Sequence, residues 1–159
     1  MKFESDIKFI IGKDILEQMI SCVKKATPNE ACGLVFGGIK EVKVNEKLQY
    51  HYRCHRFNCI ESDKKSTVAF LVENIEDYFK NIVEVKEKYN LRLISIFHSH
   101  PAGCHPSGTD LYNMEFLDSF INPLFKNQIW TIMDGNNYDI NGFIYFHKEL
   151  MQIDLIREK

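Results

Sequence analysis

The sequence predicts an α/β (α+β) domain in which a mixed β-sheet is sandwiched by helices. Three observations carry that expectation. Segments 13–26 and 74–89 place their apolar residues at helical spacing. Short stretches rich in β-branched and aromatic residues alternate with them and follow them. One of these stretches, Leu91–Phe97, is apolar nearly throughout, as suits a central strand covered on both faces. Strands mixed with a few helices around such a strand point to a layered sheet-and-helix architecture.

The elements follow in order. Residues 5–11 read as a first strand. In 13–26, Ile15, Leu16, Met19, Ile20 and Val23 make one helical face, and Thr27-Pro28-Asn29 ends it. Leu34-Val35-Phe36 reads as a strand closed by a tight turn at Gly37-Gly38, and the loosely alternating 40–53 as the next strand. Residues 54–66 are polar and irregular and read as a loop, and Thr67–Leu71 as a short strand. The clearest amphipathic helix is 74–89, with Ile75, Tyr78, Phe79, Ile82, Val83 and either Val85 or Tyr89 on its apolar face. A helix is expected from about Gly108 to Phe120. Residues 128–133 and 138–146 form a hairpin around Asp134-Gly135-Asn136-Asn137, and 149–156 reads as a last strand.

The chain of 159 residues suits one domain, 1–159, with a sizeable core. No repeat, low-complexity tract or Pro/Gly/Ser linker divides it. With 45% apolar and 26% charged residues, it has the balance of a soluble globular protein. A net charge of −2 gives no basic footprint, so nucleic acid is not an expected partner. Met1-Lys2-Phe3-Glu4-Ser5-Asp6 is charged where a signal peptide needs an apolar run. No stretch approaches the roughly 18 apolar residues of a membrane span. A cytoplasmic protein with no membrane partner is expected. The five cysteines, Cys22, Cys32, Cys54, Cys59 and Cys104, are odd in number and include no Cys-x-x-Cys. They predict free or buried thiols in a reducing compartment, rather than a disulfide framework or a Cys-rich zinc site.

The chemistry lies in 97–110, Phe-His-Ser-His-Pro-Ala-Gly-Cys-His-Pro-Ser-Gly-Thr-Asp. It begins where the apolar strand ends. Side chains alternate faces along a strand, so His98 and His100 point the same way. Two imidazoles on one face at that end can share a metal ion, and the carboxyl ends of sheet strands are where ligands sit in open α/β folds. Pro101 stops the strand, and Pro106-Ser107 opens a helix whose first turn holds Asp110. A carboxylate there completes a His₂Asp set. Three protein ligands leave one tetrahedral position open, the arrangement of a catalytic rather than a structural zinc. Ser107-x-x-Asp110 also has the form of a helix capping box.

Taken together, this segment resembles that of the JAMM/MPN+ (Mov34/MPN/PAD-1) zinc metalloproteases: His-x-His, a short Pro-containing loop, then Ser-x-x-Asp. The upstream Pro28-Asn29-Glu30-Ala31-Cys32-Gly33-Leu34 is similar to that family's Pro-x-Glu-x-Cys-Gly-Leu segment. The likeness spans roughly residues 10–145. The loop from His100 to Ser107 holds six residues, 101–106, one fewer than the usual pattern. The resemblance implies a cytidine-deaminase-like MPN/JAB fold of the small free-standing prokaryotic type. It implies one Zn²⁺ per chain held by His98, His100 and Asp110. It implies Glu30 as general base on the zinc-bound water and proton donor to the leaving amine, and Ser107 as a donor to the oxyanion.

The resemblance also implies a substrate: ubiquitin or a ubiquitin-like modifier, released from a target lysine through its extended C-terminal tail, which could add a strand to a sheet edge beside the metal. A homodimer is allowed. Cys104 and His105 sit in the loop near the ligands, although His₂Asp already suffices. Cys32 and Trp130 are assigned to the core, and His51, His55 and His147 to structural or surface positions. Two alternatives share the fold. A RadC-type protein linked to DNA repair is disfavoured by the acidic balance and the Pro-x-Glu-x-Cys-Gly-Leu segment. A non-catalytic MPN scaffold module is disfavoured because every ligand is present. A zinc deaminase is disfavoured by the lack of Pro-Cys-x-x-Cys.

Overall fold

The computed structural model describes residues 2–60, 73–119, 123–146 and 148–159. Seven strands and three helices follow one another among them. They are β1 (Lys2–Ile11), α1 (Lys13–Ala26), β2 (Cys32–Val44), β3 (Lys47–Ile60), α2 (Ile75–Tyr89), β4 (Arg92–His100), α3 (Gly108–Asp118), β5 (Ile129–Asp134), β6 (Ile140–Phe146) and β7 (Glu149–Arg157). None of these helices is long and apolar enough to cross a membrane.

The mixed sheet has the order β1-β3-β2-β4-β5-β6-β7. It closes on itself because β1 pairs in parallel with both β3 and β7. The β4–β5 pair is also parallel, and the remaining pairs are antiparallel. Helices cover both faces, as expected of the sandwich. On one side α1 lays Ile15, Met19, Cys22 and Val23 against Phe9, Val35, Phe97 and Ile144. On the other, Ile82 and Val85 of α2 and Met114 and Leu117 of α3 pack with Leu34, Leu93, Ile96 and Trp130. Every residue of β4 from Leu93 to Ser99 is buried, which gives the central strand its apolar run. Each large apolar side chain so covered contributes about 1.5–3 kcal/mol, so the histidines that follow stand on a rigid base.

Three expectations about the middle of the chain are corrected. Gly37-Gly38 is not a turn; β2 runs straight through it. A Cβ on Gly37 would lie 1.9 Å from the Arg53 carbonyl oxygen, so glycine serves close strand approach there. The stretch 40–53 is not one strand: the turn comes inside it, at Asn45 and Glu46, both at positive φ (49° and 67°), the backbone of a two-residue hairpin. Residues 54–60, read as loop, are the second half of β3. The strand expected over Thr67–Leu71, the rest of the 54–66 loop, the last residue of the 108–120 helix and His147 lie outside the described residues.

The cysteines are also corrected. Cys32, Cys54 and Cys104 are free thiols, but Cys22 and Cys59 form a disulfide that ties α1 to β3, with Cα atoms 5.8 Å apart. The partners are 37 positions apart in sequence. Only the packing of α1 over the sheet brings them together, so neither spacing nor count announced the pair.

Candidate metal centre

His98 and His100 close β4 on the face shared with Ile96. His98 is fully buried and meets the edge of Trp130, with ring centroids 6.3 Å apart and planes at 80°. His100 is half-buried at the strand's exit. Alongside, β2 runs antiparallel with Cys32 opposite His98. The ladder extends one pair further, since the Ser99 N–H donates to the Ala31 carbonyl at 3.0 Å. The Ala31 N–H in turn donates to the Ser99 hydroxyl at 2.8 Å. Glu30, the residue before Ala31, lies near enough to His98, His100 and Asp110 for their charges to act on its carboxyl.

Asp110 arrives from the other side. Ser107 caps α3: its hydroxyl accepts the Asp110 N–H at 3.1 Å, and Asp110 Oδ2 accepts the Ser107 N–H at 2.8 Å. This capping box points the carboxylate back from the first turn toward β4. The buried face of α3, Asp110, Asn113, Met114 and Leu117, has the i, i+3, i+4, i+7 spacing that seats the helix on the sheet.

The loop between the two elements is held from β5 and β6. Asp134 Oδ2 accepts the Gly103 N–H at 2.8 Å, and Gly135 N–H donates to the His100 carbonyl at 2.8 Å. Asn141 Nδ2 donates to the Cys104 carbonyl at 3.3 Å. A Cβ on Gly135 would lie 2.8 Å from the His100 carbonyl oxygen, so the hairpin turn expected from Asp134-Gly135 also has to be small where it meets the site.

The three ligand atoms converge. His98 Nε2 and His100 Nε2 are 3.1 Å apart, and they lie 3.2 and 3.0 Å from Asp110 Oδ2. Ligand atoms placed tetrahedrally at ~2.0–2.1 Å around zinc are ~3.3 Å from one another. The triangle therefore has the edge length that one small divalent ion requires. The donor set of two imidazoles and a carboxylate suits zinc, and a fourth vertex is left over. Among the described residues, this is the group of His, Cys, Asp or Glu side chains close enough to hold an ion.

The electrostatics fit a cation at this point. Burial alone would raise the Asp110 pKa, but hydrogen bonds from His100, His98 and the Ser107 N–H hold the carboxyl far below the usual range. The Asp110 hydrogen bond raises His100 against the opposing effect of burial, helped by the charges of Asp110, Glu30 and Asp134. Desolvation raises Glu30, opposed by His98 and His100 and assisted by Asp110. Two acids and two imidazoles thus act on one another in a partly desolvated site.

Of the other singled-out residues, Cys32 and Trp130 are core, as expected. Cys104 is half-buried, its thiol accepting from Asn141 Nδ2 at 3.1 Å. His105 is exposed beside the Phe143 ring. Neither belongs to the ligand group. Two residues of the site carried no sequence signal of their own: Ser99, visible only as the spacer between the histidines, and Asp134, visible only as a turn residue.

A side-chain set able to hold a metal thus stands at the end of a covered strand in an α+β domain with a mixed sheet. The model of the family described as prokaryotic homologs of the JAB domain matches residues 12–140, and the chain belongs to that family. The expected MPN/JAB fold also appears in solved structures. The chain is similar to protein DSY2949 from Desulfitobacterium hafniense, with TM-score 0.59 and 18% identity over 96% of this chain and 93% of that one. It is also similar to AF2198, a JAB1/MPN domain protein from Archaeoglobus fulgidus, with TM-score 0.50 and 15% identity over 98% of this chain and 99% of that one. At these identities the likeness is one of fold. No curated protein matches the sequence.

Proposed function

We propose that the chain is a zinc-dependent isopeptidase that cuts the bond between the C-terminus of ubiquitin or a ubiquitin-like modifier and a target lysine. The observation that carries this reading is the 3.0–3.2 Å triangle of His98, His100 and Asp110, with Glu30 near enough for the charges of all three to act on it. His98, His100 and Asp110 would hold a zinc ion, which would supply a Lewis acid to polarise a carbonyl and lower the pKa of water to about 7.

The chain's own groups do the rest. Glu30, with its pKa raised by desolvation, takes a proton from the attacking water. As the water oxygen adds to the carbonyl carbon and the C–N bond breaks, Glu30 returns the proton to the lysine amine. Positioned acid–base help of this kind is worth about 10²–10⁴ in rate. The Ser107 oxygen accepts from the Asp110 N–H, which leaves its own hydrogen to donate to the developing oxyanion; loss of such a donor costs ~10²–10³. A scaffold module would not need this ligand geometry.

The test is cleavage of ubiquitin and ubiquitin-like conjugates to lysine by zinc-loaded protein, with and without a chelator, beside Glu30→Gln. Cleavage that stops on chelation and is lost in a Glu30→Gln protein still holding one zinc is the expected result. Cleavage that survives the chelator, or none by the zinc-loaded protein, would refute the proposal.

A further inference from the structure

We infer that Ser99, the residue between the two imidazoles, is the positioning residue that fixes Glu30 against them; its consequence for rate rests on the isopeptidase reading above. Ser99 is 2% exposed and projects to the face of β4 opposite its histidine neighbours. In a regular antiparallel pair, Ala31 and Ser99 would exchange two backbone hydrogen bonds. One is present, from Ser99 N to Ala31 O at 3.0 Å. In the other the Ser99 hydroxyl takes the carbonyl's place, accepting the Ala31 N–H at 2.8 Å. The segment bearing Glu30 is therefore held through Ala31 by a side chain, one residue before β2 begins at Cys32.

This substitution of a side chain for a backbone oxygen sets the separation of the two strands where it matters. Both imidazoles flank Ser99 in sequence, and Glu30 flanks Ala31. A change in the Ser99–Ala31 contact moves Glu30 relative to the histidines without removing any of the three groups. Without the hydroxyl, the Ala31 N–H loses this acceptor, and the Glu30 segment is released to shift relative to β4. A displacement of about 1 Å at a reacting group costs as much as ~10²-fold in rate.

The experiment uses the zinc-loaded full chain as wild type, Ser99→Ala, Ser99→Cys and Ser99→Thr. Three readouts are taken: zinc per chain, hydrogen exchange of the Ala31 amide by NMR, and cleavage of a ubiquitin–lysine isopeptide conjugate resolved into kcat and KM. Ser99→Ala is expected to keep its zinc and to exchange the Ala31 amide faster. Its kcat should fall by about 10–100-fold with little change in KM. Ser99→Cys, which fills the same space with a poor acceptor, should follow it. Ser99→Thr, which keeps the hydroxyl, should restore both amide protection and most of kcat.

Unchanged Ala31 exchange in both Ser99→Ala and Ser99→Cys overturns the inference, as does an unchanged kcat. Loss of zinc in step with rate also overturns it, because the serine would then support the imidazoles instead. A wild type that cleaves nothing refutes only the isopeptidase reading, and the exchange contrast still decides whether Ser99 holds the Glu30 segment.

Discussion

The carboxylate of Asp134 accepts the backbone N–H of Gly103 at 2.8 Å, tying the turn after His100 to the end of β5. The same carboxylate accepts the Asn136 N–H at 2.7 Å in its own hairpin. These backbone donors, Asn136 before Gly103, hold its pKa below the ordinary value. Gly103 sits at φ +86°, a left-handed conformation that glycine adopts without strain. The short loop is thus fixed at its middle, and its far end presents Ser107 and Asp110. Asp134→Ala should leave one zinc per chain, speed exchange of the Gly103 amide and lower kcat by about tenfold. An unaltered Gly103 exchange rate would remove Asp134 from any role in the loop. Gly103→Ala should cost about 1–2 kcal/mol of stability, measured by urea unfolding, because a side chain is added at positive φ.

Ser107 combines two duties that substitution can separate. It caps α3 through Asp110 N–H, and it is proposed to donate to the oxyanion. Ser107→Ala loses both, with about 0.5–2 kcal/mol of stability for the cap. Ser107→Gly costs only a few tenths of a kcal/mol as a cap, yet has no hydroxyl. Both variants should therefore lose ~10²–10³ in kcat while differing in Tm. If Ser107→Gly turned over at the wild-type rate, only the capping role would remain.

Much of this site was legible because its chemistry is local in sequence. His98, His100, Ser107 and Asp110 lie within one strand–loop–helix unit, whose strand period and cap pattern can be read directly. Glu30 is different. Nothing near it identifies a base, and only the resemblance of Pro28–Leu34 to a family segment singled it out; in the fold it lies where the charges of His98, His100 and Asp110 act on it. The middle of the fold was misread for definite reasons. The β2–β3 turn is Asn45-Glu46, which lacks the glycine that usually marks two residues at positive φ. In β3 the ladder slips at His55, where Phe36 pairs with Arg56 but Gly37 with Cys54. The buried positions therefore change phase from Tyr52 and Cys54 to Phe57, and the period-2 signal disappears. Closure of the sheet through β1 and β7 joins the two ends of the chain, a pairing that no local pattern encodes.

Zinc binding should depend on pH in a direction set by His100. An imidazole must be neutral to ligate, and the His100 pKa is raised by its hydrogen bond to Asp110. Protons therefore compete with the metal to pH values above the ordinary imidazole value near 6.5. In the metal-free protein the raised pKa also contributes stability that is fully present below about 6.5 and lost as pH rises through the folded value. Both effects act in one direction on the difference between the two forms. The gap in Tm between zinc-loaded and metal-free protein should widen from about pH 6 to pH 8. A gap that stays constant or narrows over that range would show that His100 is not released from a proton when the metal binds.

The Cys22–Cys59 bond makes a prediction independent of catalysis. It closes a segment of 37 positions between α1 and β3, and it packs where Cys22 Sγ also meets the Cys32 carbonyl at 3.6 Å. Cross-links of that span stabilise by about 2–4 kcal/mol, chiefly by restricting the unfolded chain. Thiol titration of the protein denatured without reductant should find the three free cysteines, Cys32, Cys54 and Cys104, and all five of the sequence after reduction. Reduction, or Cys22→Ala, should lower Tm by roughly 5–15 °C. Zinc content should not change, since neither cysteine belongs to the ligand group. Five reactive thiols before reduction, with Tm insensitive to reductant, would mean that the two sulfurs are only neighbours, the state a reducing cytoplasm favours. In that case α1 would be held to the sheet by the packing of Ile15, Met19 and Val23 without a covalent tie.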